Sequence, residues 1–163
     1  MEVLDIRELI RTLASMEQAA VAFYQSLAKH TKNEKVRMLA KTMARVEKEH
    51  QIRFESLYRN IKNQKKAKAP DEVTDSVRRY VLSLIDCRIF HSPEHAEKIA
   101  ENLTDPNEAV DMAIRFEKEN LLLLIECRAI VQGEAKKVVE TFMLQEKDHI
   151  ISLQKIRKAL EKI

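Results

Sequence analysis

Apolar side chains recur at three- and four-residue spacing along four long stretches of the chain, the interval that gathers them on one face of an α-helix. The first stretch runs from about Asp5 to Lys29 and carries Leu9, Leu13, Met16, Ala20, Phe23, Tyr24 and Leu27. Asn33 then stands where it can cap a second helix, from about Glu34 to Asn60, whose inward positions are Val36, Leu39, Met43, Val46, Phe54 and Leu57. A shorter apolar helix is predicted over Ser76 to Phe90, and Pro93 in HSPEH suits a first helical turn. Pro106 or Asn107 opens the third long helix, which runs to about Val131. Gly133 marks its end, and the fourth covers about Glu134 to Glu161.

The long helices form a repeat. Glu17 aligns with Glu117 at an offset of 100 residues and Glu47 with Glu146 at 99, so each half reads helix, short turn, helix. A short turn between helices makes an antiparallel pair. Two such pairs, about 5–60 and 107–161, joined by a long connection over about 61–106, predict one all-α domain spanning 1–163: a four-helix bundle with a crossover that contains an extra short helix.

Composition narrows the picture. One glycine and three prolines in 163 residues leave little room for many short strands. The 29 basic and 26 acidic residues are interleaved, and a net charge of +3 describes solvated helix faces, so no nucleic-acid partner is expected. The basic run KNQKKAKAP reads as a solvated helix end and loop. The longest uncharged apolar run, Leu121 to Ile125, is too short to span a bilayer, and the N-terminal residues lack the pattern of a signal peptide. Cys87 and Cys127 form no CxxC and are expected to be reduced, structural thiols of a cytoplasmic protein. His30, His91 and His95 are expected at the surface, and Met16, Met43, Met112 and Met143 in the packing. Leu121 to Ile125 is apolar nearly all round its helix, which predicts a subunit interface, most simply of a homodimer.

Six residues break the apolar stripes. Glu47 and His50 in VEKEH fall where Met43, Phe54 and Leu57 define the inner face. Glu146 and His149 in QEKDH repeat the pattern, and Glu17 and Glu117 lie on the stripes of their own helices. Residues three apart stand about 60° apart around a helix, on one face and one turn apart. Counted from the turns, Glu17 is level with Glu47 and Glu117 with Glu146, so all six can converge at one depth. A buried ionised carboxylate without a partner costs several kcal/mol. Four in one layer would exceed the roughly 5–15 kcal/mol that holds a domain together. Two divalent cations cancel the four charges, and two neutral imidazoles complete the shell. Carboxylate-rich ligation with imidazole suits iron or manganese better than zinc. A lone Glu-x-x-His is common on exposed helices, but two of them, each paired with a glutamate on the stripe at nearly equal spacing, are not.

These Glu-x-x-His pairs and their partner glutamates resemble the ferritin-like di-iron carboxylate proteins. Within that group, MEQAAVAFYQSLAKHT followed by VEKEH is most similar to the rubrerythrin-type ferritin-like domain, over nearly the whole chain. The resemblance implies that Glu17 and Glu117 are terminal carboxylates, that Glu47 and Glu146 bridge two metal ions, and that His50 and His149 each cap one. It implies two iron ions as cofactor, with manganese or a mixed pair as alternatives, and a tyrosine near the site at Tyr24. Two departures stand out. No CxxC pairs are present, so the chain has no rubredoxin-like module, and its electron donor is expected to be a separate molecule. Classical rubrerythrins have a further glutamate three residues after the third-helix ligand. Here Asn120 stands there, so the resemblance does not extend to the ligand exchange linked to that glutamate. Glu119 points about 100° away and is a poor substitute.

The function expected is that of a non-haem di-iron oxidoreductase acting on hydrogen peroxide or dioxygen, in oxidative-stress defence or iron handling. A ferritin-type ferroxidase that stores iron is one alternative, and a metal-binding structural or interaction bundle is another.

Overall fold

A computed structural model describes residues 5–62 and 75–161; most of the basic run KNQKKAKAP lies outside them. Six helices account for nearly all of the described residues: α1 (Ile6–His30), α2 (Glu34–Lys62), α3 (Asp75–Asp86), α4 (Pro93–Asn102), α5 (Pro106–Ile130) and α6 (Gly133–Leu160). Their starts follow the capping residues. Asp5 and Asp105 accept from the backbone N–H two residues on, and Asn33 Oδ1 accepts from Val36 N–H at 3.2 Å. Pro106 and Pro93 occupy first-turn positions, where no backbone donor is missed.

α1 and α2 form one hairpin, and α5 and α6 the other. α2 meets α6 and α1 meets α5, which closes the four-helix bundle. The connection carries two helices, the expected short one and a second that opens at Pro93, where the sequence suits a first helical turn; α4 packs on α1 and α3 on α5. The expected helix to Phe90 stops at Asp86. Phe90 is instead drawn into the bundle, stacked on Phe23 at 4.9 Å and Phe116 at 4.7 Å. Both oxygens of Glu119 accept from Ile89 N–H, at 2.9 and 3.0 Å. Burying an aromatic ring contributes about 1.5–3 kcal/mol, more than the few tenths gained by continuing a helix, so the turn yields to the core.

Gly133 has φ +59°, the one positive φ among the described residues. It opens α6 instead of closing α5, whose C-cap is Val131. No atom lies within 4 Å of where a Cβ would stand, so Gly133→Ala incurs only the backbone cost of a left-handed residue. The expected loss is about 1 kcal/mol in chemical denaturation, with no change in metal content.

The core is split. One apolar cluster takes Ala19 to Ala28 of α1, Val36 to Ala44 of α2, Ala109 to Phe116 of α5 and Leu153 and Leu160 of α6. The other takes Leu9 to Met16, Phe54 and Leu57, Leu123 to Ile130 and Ala135 to Phe142. On every bundle helix the gap between the clusters holds the same residues: Glu17 on α1, Glu47 and His50 on α2, Glu117 and Asn120 on α5, Glu146 and His149 on α6. The two apolar halves thus grip a polar layer at mid-height.

Candidate metal centre

All six residues singled out in the sequence lie in this layer. The four carboxylates are fully buried, His50 is 1% exposed and His149 8%. The two imidazoles stack at 5.6 Å between ring centres, each presenting Nδ1 to three carboxylates. His50 Nδ1 lies 3.0 Å from Glu47 Oε2, 3.4 Å from Glu146 Oε1 and 3.9 Å from Glu17 Oε2. His149 Nδ1 lies 3.0 Å from Glu47 Oε1, 3.3 Å from Glu117 Oε2 and 3.3 Å from Glu146 Oε2. Glu47 and Glu146 therefore each divide their two oxygens between the two histidines, while Glu17 faces only His50 and Glu117 only His149.

Two sets of possible metal ligands follow: Glu17, Glu47, His50 and Glu146; and Glu47, Glu117, Glu146 and His149. Within each set one donor atom per residue lies within 4.8 Å of all the others. Glu17 Oε2, both oxygens of Glu47, both of Glu146 and His50 Nδ1 are buried with no aligned hydrogen bond. Buried polar atoms are normally satisfied, and a group this dense needs a partner. The donor set, oxygen-rich with one imidazole per position, suits two divalent cations such as iron or manganese.

Electrostatics sort the metal-free layer into pairs. Burial, then the charges of Glu47 and Glu146, hold the Glu17 carboxyl well above the usual range. Burial and Glu146 push Glu117 up to about 8. Burial also works to raise Glu47 and Glu146, but contacts with both histidines, and with Glu117 for Glu146, outweigh it and both are lowered. Burial opposes charge on His50, yet Glu146 and Glu47 raise it to about 9. His149 is raised against the same penalty by Glu117, Glu146 and Glu47. Two carboxylates and two imidazolium ions then balance while Glu17 and Glu117 keep their protons. With two divalent cations bound, four carboxylates balance four positive charges. The layer is neutral both ways.

The terminal carboxylates have supports. The buried Tyr24 hydroxyl donates to Glu117 Oε1, and burial with that carboxylate keeps the phenol protonated. Asn120 Nδ2 donates to Glu17 Oε1 at 3.3 Å. Tyr24 thus sits against the site as the resemblance implied. The role of Asn120 went unread, although its place three residues after Glu117 puts it on the inner face. Gln145 also went unread: its Oε1 lies 3.0 Å from His50 Nε2, across the α2–α6 seam. Nothing in its spacing flagged it, since it precedes Glu146 by one residue and points to the flank. Glu119 is committed to Ile89, as its direction away from the stripe suggests. His30 and His91 are exposed, and His95 is half-buried with its ring stacked on His91. Cys87 and Cys127 are free thiols, the first exposed and the second buried.

Among solved structures, the chain resembles one described as a ferritin-like diiron-carboxylate protein of Thermotoga maritima. The two share 20% identity with a TM-score of 0.65, covering 97% of each chain. It also resembles a hypothetical protein of Pyrococcus furiosus at 19% identity and a TM-score of 0.53, over 98% of this chain and 92% of that one. At such identities the likeness speaks for the fold. No match was found among curated proteins. The sequence profile of the rubrerythrin family, by contrast, matches residues 8–157, from the first turn of α1 to the last turns of α6. That span takes in both hairpins and the whole polar layer between them, and on it the chain belongs to the rubrerythrin family.

Proposed function

We propose that the chain is a non-haem di-iron oxidoreductase that reduces hydrogen peroxide or dioxygen with electrons from a separate donor. The observation that carries this reading is the division of Glu47 and Glu146 between His50 and His149, which is what two adjacent cations sharing two carboxylates require. In this reading Glu17 and Glu117 are terminal ligands, and Tyr24 and Asn120 hold their carboxylates in place. A bound iron pair supplies two electrons per cycle. The apolar halves above and below keep bulk water out, and the half-buried Gln145 and slightly exposed His149 mark the side nearest solvent. Leu122 and Ile125, exposed on α5 between buried neighbours, support pairing of two copies through that helix.

Anaerobic loading with Fe²⁺ tests the reading. The expected result is two iron ions per chain, both oxidised by one hydrogen peroxide and two protons to give two water molecules, with near-ultraviolet absorption of a bridged ferric pair. Size-exclusion chromatography should show a dimer. One iron per chain, or iron that peroxide and dioxygen leave reduced, would overturn the oxidoreductase reading. A particle of many subunits would favour iron storage.

A further inference from the structure

The two candidate metal positions have nearly matched ligands, but their histidines are held differently. The His50 ring is clamped on three sides. Phe142 stacks on its face at 4.2 Å and 26°, and Phe142 is itself backed by Phe54, edge-on to it at 4.8 Å. Its Nδ1 faces the carboxylates, and its Nε2 meets Gln145 Oε1 at 3.0 Å. A histidine ligates through one nitrogen only when the other carries the proton, and an acceptor at that other nitrogen fixes the choice. An amide oxygen only accepts, so it holds the hydrogen on Nε2 and leaves the Nδ1 lone pair aimed into the layer. His149 has no such hold. Its side chain is 10% exposed, its ring partner is His50, and among the described residues nothing is hydrogen-bonded to its Nε2.

Resting on the dinuclear reading above, we propose that Gln145 is a positioning residue that locks His50 as an Nδ1 donor. It thereby makes the two metal positions unequal, the one at His50 retained and the one at His149 exchangeable. The His149 imidazole can swing toward solvent and would release an ion held there, whereas the His50 ring would release one only after parting from Gln145 or sliding off Phe142.

Cobalt reports this without catalysis. Protein loaded with two Co²⁺ is mixed with excess EDTA, and visible absorption follows the loss. The wild-type protein is expected to release Co²⁺ in two phases of equal amplitude. In Gln145→Leu the slow phase should quicken about tenfold, the usual effect of removing a hydrogen-bond partner from a ligating histidine, while the fast phase stays as it was. Gln145→Glu keeps an acceptor at the same reach and should retain the slow phase, which a loss of packing would not allow. Melting of the metal-free variants checks that the fold is kept. Release of both ions in one phase from the wild type, an unchanged slow phase in Gln145→Leu, or an equal acceleration in both variants would overturn the proposal. Binding of fewer than two Co²⁺ by the wild type would instead overturn the dinuclear reading on which it rests.

Discussion

Replacing Glu47 with alanine is expected to remove both metal ions at once, whereas replacing Glu17 with glutamine removes one. Glu47 belongs to both ligand sets, with one oxygen 3.0 Å from each histidine nitrogen. Its loss strips each position of a charged donor and unlinks the two. Glu17 faces only His50. Elemental analysis after dialysis against metal should therefore give two ions for the wild type, about one for Glu17→Gln and close to none for Glu47→Ala. The stability of the metal-free proteins separates the same residues in another way. Burial alone would have removal of Glu47 or Glu146 leave the metal-free protein no less stable. The structure points the other way for Glu47, and only Glu17 is neutral there, with glutamine as a near-isostere. Glu47 is ionised against two imidazolium rings, so its removal leaves buried positive charge and a cavity, and the cost should reach about 3 kcal/mol. Equal metal content in the two variants would show that the bridging assignment is wrong.

The second large effect is a reversal of pH dependence on metal loading. In the metal-free protein Glu117 titrates near 8 instead of in the usual carboxylate range, so the folded state keeps a proton the unfolded state has lost. Stability from this group falls as pH rises from about 4.5 to 8. His50, raised to about 9, contributes stability that is full below its unfolded value of 6.5 and is lost on rising to 9. Glu47 and Glu146, both lowered, act only at the acid end, where stability drops below about pH 4. One pKa unit corresponds to about 1.4 kcal/mol. Allowing for relaxation of a buried cluster, a few kcal/mol should disappear between pH 5.5 and 8.5. At about 2–4 °C per kcal/mol for a chain of this size, the metal-free melting temperature should be about 10 °C lower at the higher pH. With metal the sign inverts, because cations need these groups deprotonated and bind more tightly as pH rises. At pH 7, binding of two divalent ions should release about four protons, from Glu17, Glu117, His50 and His149. Melting curves at the two pH values, with and without metal, and proton release in weakly buffered solution check both halves. Parallel slopes would contradict the charge assignment.

The six polar positions were legible because helical spacing converts sequence directly into direction. Glu17, Glu47 and Glu146 fall on stripes whose other members are apolar, and a stripe that faces the core in one residue faces it in all. The bundle followed from the same periodicity and from the short turns at 31–33 and 131–132. What escaped was set by contacts between distant segments. The end of α3 depends on Phe90 finding Phe23 and Phe116, and on Glu119 finding Ile89 N–H, none of which local spacing encodes. Gln145 matters only because α2 brings His50, 95 residues away in the chain, to it across a seam between helices. A side chain on the flank of a helix acquires its partner from the packing angle, and a single sequence does not carry that angle.

The placement of ligands across the two hairpins bears on when the protein can acquire its cofactor. Each ligand set draws on both halves of the chain: Glu47 comes from the first hairpin, Glu146 from the second, and both sets need both. A nascent chain that has folded only α1 and α2 offers three of the six donors, facing a partner that has not yet emerged. Assembly of either candidate metal position is therefore tied to completion of both hairpins, and a truncated product ending before His149 lacks part of the donor set.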